Sequence, residues 1–281
     1  MKFQQRTLKK IPCKNKIFLA PMEEVNDIVF RFLCKNSGAG LTYTGMINPL
    51  TKQELDLSDK PVLQLFCINT KGIKEFIKKY NSKVSAWDFN LGCPAKTAKK
   101  HGFGSFLIHD LETIENILKT MRESTIKPVI VKFRKSKNSV KILKIAEKYC
   151  DAICIHPRTQ AQGYGGIPDL EFAEKIKSLT KLPVIYSGDV NEENTKELLK
   201  KFDYIMIGRK AIGNPNVFSK ILGKKTNFDF KDYLKLAKEY KISFRQIKFQ
   251  AMCFTKGKKD SRKLRLEISK IKKIKELEEI F

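Results

Sequence analysis

Eight short, β-rich apolar runs recur along this chain with a helix-like segment between most of them, and that alternation restricts its possible folds most strongly. The runs are Ile17–Ala20, Leu41–Thr44, Val62–Phe66, Trp87–Asn90, Val129–Phe133, Ala152–His156, Val184–Ser187 and Tyr204–Ile207. Between them, Gly72–Tyr80, Leu111–Met121, Val140–Tyr149, Leu170–Leu179 and Glu192–Lys200 carry apolar residues at helical spacing. Continuous apolar strands separated by helices imply a parallel sheet covered by helices. Eight such units fit a closed (β/α)8 TIM barrel better than an open sheet. After about Val217 no further strand is visible, and Asp229–Ser243, Phe244–Phe254 and Lys259–Glu279 read as helices. The predicted organisation is α/β: a catalytic barrel over residues 1–226 and a small all-helical domain over 227–281, with Gly223–Asn227 as linker.

Charge distinguishes the two parts. The 281 residues include 56 Lys plus Arg against 30 Asp plus Glu, a formal net charge of +26. Residues 219–281 hold 19 Lys or Arg and 8 Asp or Glu, a net +11 in less than a quarter of the chain. A basic excess of this kind fits a polyanionic partner, because neutralising phosphates releases counterions. A Lys-rich surface set by overall composition is the bland alternative, but the concentration of charge in the tail favours a nucleic-acid partner. The seven cysteines form no CxxC pair, so no zinc site, dithiol motif or other metal centre is expected. Cys150 and Cys154 read as small buried thiols, and several free cysteines suit a reducing cytosol. No apolar run reaches transmembrane length and the N-terminus lacks the apolar core of a signal peptide. The expectation is a cytoplasmic protein with no membrane partner, monomeric by default.

In a β/α barrel, functional groups come from the C-terminal ends of the strands and the loops that follow. The chemically suggestive residues fall there. Pro21-Met22 follows strand one, Gln64 lies late in strand three, and Asn90 ends strand four with Cys93 just beyond. Lys132 is late in strand five, His156 ends strand six, Ser187-Gly188-Asp189 follows strand seven and Gly208-Arg209 follows strand eight. Glycines let backbone N–H groups approach an anion, so the last two segments read as a phosphate site, with Arg209 adding a permanent charge. A lysine inside the apolar run VIVKF needs an anion or a cofactor, or must snorkel to the rim. Cys93, in a loop fixed by Gly92 and Pro94, carries a thiol mostly protonated at neutral pH and able to donate a proton. Nearby Lys96, Lys99, Lys100 and His101 are positioned to meet an RNA backbone or merely solvent.

Together these residues resemble the tRNA-dihydrouridine synthase family, from about Phe18 to Phe218. The segments carrying the resemblance include LAPMEEVNDIVFRFLC (19–34), PVLQLF (61–66), DFNLGCPAKTAKKHGFGSFL (88–107), PVIVKFR (128–134), HPRTQAQGY (156–164), PVIYSGDV (183–190) and IMIGRKAIGNPNVF (205–218). The tail 247–265 is similar, less specifically, to the family's helical RNA-binding domain. The resemblance implies an FMN held by Pro21, Met22, Glu23, Gln64, Lys132, His156, Ser187, Gly188, Asp189, Gly208 and Arg209. It further implies Cys93 as proton donor, with Asn90, Arg158 and Lys96 on the substrate side. Hydride would pass from reduced FMN to C6 of a tRNA uracil and a proton from Cys93 to C5, with NADPH or NADH as reductant. The target base must first leave its stack. The chain departs from the family at Glu23, Glu24 and Asn26 (usually a small residue, Gly and Thr), at Gly45 (commonly Glu), at Pro157 (Gly) and at Ser187 (Asn). Competing expectations are an FMN barrel oxidoreductase of a free pyrimidine or small enone, and a non-catalytic RNA-binding protein.

Overall fold

The computed structural model describes residues 7–281; the expectation about the N-terminus falls partly outside them. Eight parallel strands run in the order β1-β8-β7-β6-β5-β4-β3-β2. They are β1 (Ile17–Leu19), β2 (Tyr43–Ile47), β3 (Val62–Leu65), β4 (Ala86–Leu91), β5 (Val129–Arg134), β6 (Ala152–His156), β7 (Val184–Ser187) and β8 (Tyr204–Ile207). Ladder pairing joins β1 to β8, and a single bridge between Phe18 and Leu41 joins β1 to the start of β2. There the Leu19 N–H donates to the Leu41 carbonyl at 2.9 Å, which closes the barrel. The second strand lies later than Leu41–Thr44 because its register shifts between Tyr43 and Met46. At that irregularity the Thr44 hydroxyl takes the place of a backbone acceptor, receiving the Gln64 N–H at 3.1 Å.

Helices cover the outside: α1 (Ile28–Asn36), α2 (Ile73–Tyr80), α3 (Lys96–His101), α4 (Leu111–Ser124), α5 (Ser139–Tyr149), α6 (Leu170–Ser178), α7 (Thr195–Lys201) and α8 (Val217–Ile221). Several start where an Asp side chain accepts a first-turn N–H, as Asp110 does from Thr113 and Asp169 from Phe172. Side chains alternate along each strand, so each strand fills two cores. One lies between sheet and helices; the other, including Phe18, Tyr43, Val62, Ile130, Cys154 and Met206, fills the barrel interior and is plugged from below by Ile11.

Four helices follow: α9 (Phe230–Glu239), α10 (Phe244–Phe254), α11 (Ser261–Lys270) and α12 (Ile274–Ile280). The single helix expected over 259–279 is two. Lys248 Nζ donates to the carbonyls of Ser269 and Ile271 at 2.6 and 2.8 Å, which terminates α11. The extended Ile271 is buried, and the bend brings Leu277 and Phe281 onto the core, with the Phe281 ring 4.3 Å from that of Phe230. A straight, Lys-rich helix would have carried those residues away from it. The linker segment is pinned rather than loose: Asn216 accepts from the Phe228 N–H at 2.9 Å and donates to its carbonyl at 2.7 Å.

The tail helices dock on the loop between β1 and α1 through Asp27. This carboxylate caps α1 by accepting from the Phe30 N–H and also receives the Tyr233 hydroxyl and the amides of Gln246 and Gln250. Burial raises its pKa, while those four donors pull it back down. The apolar cluster outside the barrel continues without a break into Tyr233, Leu234, Ile247 and Phe254. Among the described residues no helix is long and apolar enough to cross a membrane.

Candidate active site

Period-two arithmetic explains why the polar residues meet. From the inward-facing Val62, Ala86, Ile130, Ala152 and Ile185, steps of two reach Gln64, Asp88 and Asn90, Lys132 and Arg134, Cys154 and His156, and Ser187. All therefore project into the upper barrel. They lie in or beneath a cavity of about 870 Å³ at the C-terminal ends of the strands.

The register sets the first contact. Gln64 pairs with Asp88 across β3 and β4, and its amide donates to Asp88 Oδ2 at 2.5 Å. Asn90 Nδ2 donates to Gln64 Oε1 at 2.6 Å, and Asn90 Oδ1 accepts the N–H groups of Gly92 and Cys93 at 2.9 and 2.5 Å. Asp88, Gln64 and Asn90 thus form a continuous support beneath the Cys93 loop. From behind, Ser105 donates its N–H (3.0 Å) and its hydroxyl (2.9 Å) to the Cys93 carbonyl. Gly104 is pressed so close that a Cβ would lie 2.7 Å from that oxygen. Arg134 Nε closes the loop from the side, donating to the Gly92 carbonyl at 2.5 Å.

Gln64 is fully buried beneath the cavity, bonded to Asn90, which lines it. Asp88 is a member of this set that the sequence reading passed over; its place two residues before Asn90 in an apolar run was the available signal. Burial pushes its carboxyl up to about 7 despite the Gln64 bond and the nearby Lys132 charge. Its Oδ1 and the Tyr43 hydroxyl are buried without hydrogen-bond partners among the described residues.

Three titratable groups face the cavity in states fixed by their surroundings. Burial raises the Cys93 thiol, opposed by the Ala95 N–H and, more weakly, by Arg134 and Lys132, so it is protonated at neutral pH. Burial lowers the Lys132 ammonium, which has no hydrogen-bond or ion-pair partner among the described residues. Burial, reinforced by Lys132 and three arginines, lowers His156 to about 2. The imidazole is neutral, and Arg158 lies 3.3 Å from Nε2. A guanidinium only donates, so Nε2 accepts and the ring proton sits on Nδ1.

Arg158 itself is buried. It holds the loop after β6 through the carbonyls of Gly165 and Gly166, at 2.9 and 2.6 Å, and pairs with Asp189. It lines the cavity but spends its donors on the protein rather than on open substrate space. Asp189 also pairs with Arg209; burial works against its charge, yet the two arginines hold the carboxyl below its ordinary value. Tyr164, missed in the sequence, stands between the Arg134 and Arg209 guanidiniums, 5.3 and 5.4 Å from its ring centre. Lys96 is exposed at the start of α3 and lies outside the cavity.

At the opposite end, Pro21, Met22, Ser187, Gly188, Gly208 and Arg209 line one wall. Gly188 has φ +150° and Asp189 φ +47°, a backbone that turns sharply at the end of β7. A Cβ on Gly208 would touch only Ala20, at 3.6 Å, so the protein's own packing does not demand glycine there. The glycine keeps space open beside a cation, which suits a ligand phosphate.

A family model for dihydrouridine synthase matches residues 18–279. The chain belongs to the dihydrouridine synthase family. The probable tRNA-dihydrouridine synthase of Rickettsia bellii is 34% identical over 75% of this chain and 72% of its own length. The tRNA-dihydrouridine synthase B of Pasteurella multocida is 32% identical over 73% and 68%. In three dimensions the chain is similar to the crystal structure of TcOYE with pHBA, with a TM-score of 0.58 at 9% identity over 79% of this chain and 92% of that one, a likeness of fold alone.

The departures from the dihydrouridine synthase pattern have local explanations. A Cβ on Gly45 would lie 3.2 Å from Glu23 Oε2. The Glu23 carboxylate, which accepts the Met46 N–H at 3.1 Å, occupies the space a side chain at 45 would enter. Asn26 donates to the carbonyls of Ala20 and Tyr43 at 2.7 and 2.8 Å, tying β1 to β2. Glu24 receives Arg245 at 3.3 Å and Gln246 at its carbonyl, so its partners lie on α10. Ser187 lines the cavity, and Pro157 accepts the Asp169 N–H at 2.9 Å.

Proposed function

We propose that this dihydrouridine synthase family member binds FMN and reduces the C5–C6 bond of uridine in tRNA, with NADPH or NADH as reductant. The observation that carries the reading is a protonated thiol, Cys93, held over a cavity whose other walls carry a lysine without a partner among the described residues, a neutral histidine and a glycine-lined cationic end. The cavity volume suits a tricyclic cofactor together with part of a base. Lys132 and the Nδ1–H of His156 are donors for electronegative ring atoms, and Gly188, Gly208 and Arg209 suit a terminal phosphate. Bound and reduced, the cofactor supplies hydride chemistry for uracil C6.

The chain's own part is proton delivery and alignment. Cys93 holds a proton on Sγ for C5, and Arg134 and Lys132 stabilise the thiolate left behind until solvent reprotonates it. Asn90 fixes the loop and borders the base. Lys96 and its exposed neighbours on α3 sit beside that mouth for RNA phosphates, and α9–α12 supply the larger basic surface. One chain carries the whole site, so the reading is of a monomer, acting in the cytoplasm where tRNA is modified.

Given FMN, NADPH and an unmodified tRNA transcript, the protein should yield a nucleoside heavier than uridine by two hydrogens, read by mass spectrometry. Cys93→Ala should keep its flavin and slow this conversion by about 10²–10⁴-fold. Undiminished conversion by the variant would contradict the role of Cys93.

A further inference from the structure

The glycine-lined end of the cavity is completed by a residue from the tail. Gly213 (φ +65°) in the loop after β8 lies against the end of α10, where a Cβ would sit 1.9 Å from the Cys253 carbonyl oxygen. No side chain fits there, so this approach fixes how the chain leaves α10. Thr255, fully buried, turns the chain by donating its hydroxyl to the Met252 carbonyl at 2.7 Å. The next residue, Lys256, is thereby led back to the β8 loop, where its ammonium donates to the Arg209 carbonyl and lines the cavity.

Arg209, Lys210 and Lys256 therefore converge beside Gly208 and Gly188. Asp189, the carboxylate at this end of the cavity, is already shared between Arg158 and Arg209. Among the described residues neither Lys210 nor Lys256 is in an ion pair. Burial, and then Lys210 and Arg209, lower the Lys256 pKa. A cation held among cations at a glycine-lined wall is a site with its anion still to come.

We infer that Lys256 is a phosphate ligand of the flavin site, so that the cofactor's terminal phosphate is gripped jointly by the barrel and the tail helices. The inference rests on the FMN reading above and deepens it. A phosphate in that position joins the β8 loop to the end of α10, and cofactor loading then braces the helices that present the basic surface to RNA. The barrel alone, residues 1–226, holds an incomplete phosphate site.

The test uses the full chain stripped of flavin and titrated with FMN or with riboflavin, which lacks the phosphate, followed by flavin fluorescence. Lys256→Met should weaken FMN about tenfold and leave riboflavin affinity unchanged, while Lys256→Arg should retain most of the preference for FMN. Riboflavin binding also reports that the variant is folded. Wild-type protein that binds FMN, together with a Met variant that binds it equally well, would overturn the inference. Equal weakening of both flavins would assign Lys256 a packing role, and lost tRNA affinity with an intact FMN preference would assign it to the RNA backbone; either result overturns it too. Wild-type protein that binds no FMN would instead remove the underlying reading.

Discussion

Asp88 shows how a single buried side chain can govern several others in this site. Its carboxyl carries Gln64, Gln64 carries Asn90, and Asn90 carries the backbone N–H of Cys93. The pKa of this carboxyl is raised by burial from 3.8 to about 7, so the folded state holds the proton more tightly than the unfolded chain does. The stability it contributes is therefore complete below pH 3.8 and declines as pH rises through about 7. Asp88→Asn keeps an acceptor for Gln64 and cannot ionise. Melting temperatures of wild type and variant should diverge in pH dependence across that window, the variant losing the decline; parallel curves would contradict a buried titrating Asp88. The residues whose chemistry was visible in the sequence, such as Cys93, Lys132 and His156, stood out because each is reactive or costly to bury. Asp88, Arg134 and Tyr164 were less visible, because their importance comes from which side chains lie across the register or over a folded loop.

At the scale of elements, all eight strands and the five inter-strand helices read from the sequence appear close to the predicted bounds. Their apolar faces are set locally by residue spacing. The six-residue α3 and five-residue α8 were not read, since so short a segment shows hardly more than one turn of periodicity, and α1 (Ile28–Asn36) was not read either. The break between α11 and α12 was illegible for another reason: it depends on Lys248, more than twenty residues earlier, capping the Ser269 and Ile271 carbonyls. On α11, Arg262, Lys263 and Arg265 are exposed and outside any ion pair among the described residues. Replacing all three by Gln should weaken tRNA binding and flatten its dependence on salt, by about 0.7–0.9 in log–log slope for each phosphate no longer neutralised. An unchanged slope would show that RNA lies elsewhere. This substitution is preferable to removing residues 227–281, because the core running from the barrel into α9 and α10 would be exposed by truncation.

Across the whole molecule, the barrel and the tail are joined where function concentrates. Asp27 bolts α9 and α10 to the loop that follows β1, and Gly213 admits the end of α10 to the loop that follows β8. The start of α10 is consequently held against Glu24, and Lys256, just past its end, lines the cavity. A small substrate would gain nothing from this arrangement, whereas a base presented on a long polyanion is drawn to the mouth and aligned there. The most direct measurement is anaerobic: the protein's bound flavin is reduced, an unmodified tRNA transcript is added, and the flavin spectrum is followed. The account predicts rapid reoxidation with tRNA and none with free uridine. Flavin that stays reduced in the presence of tRNA, or that free uridine reoxidises equally well, would contradict it.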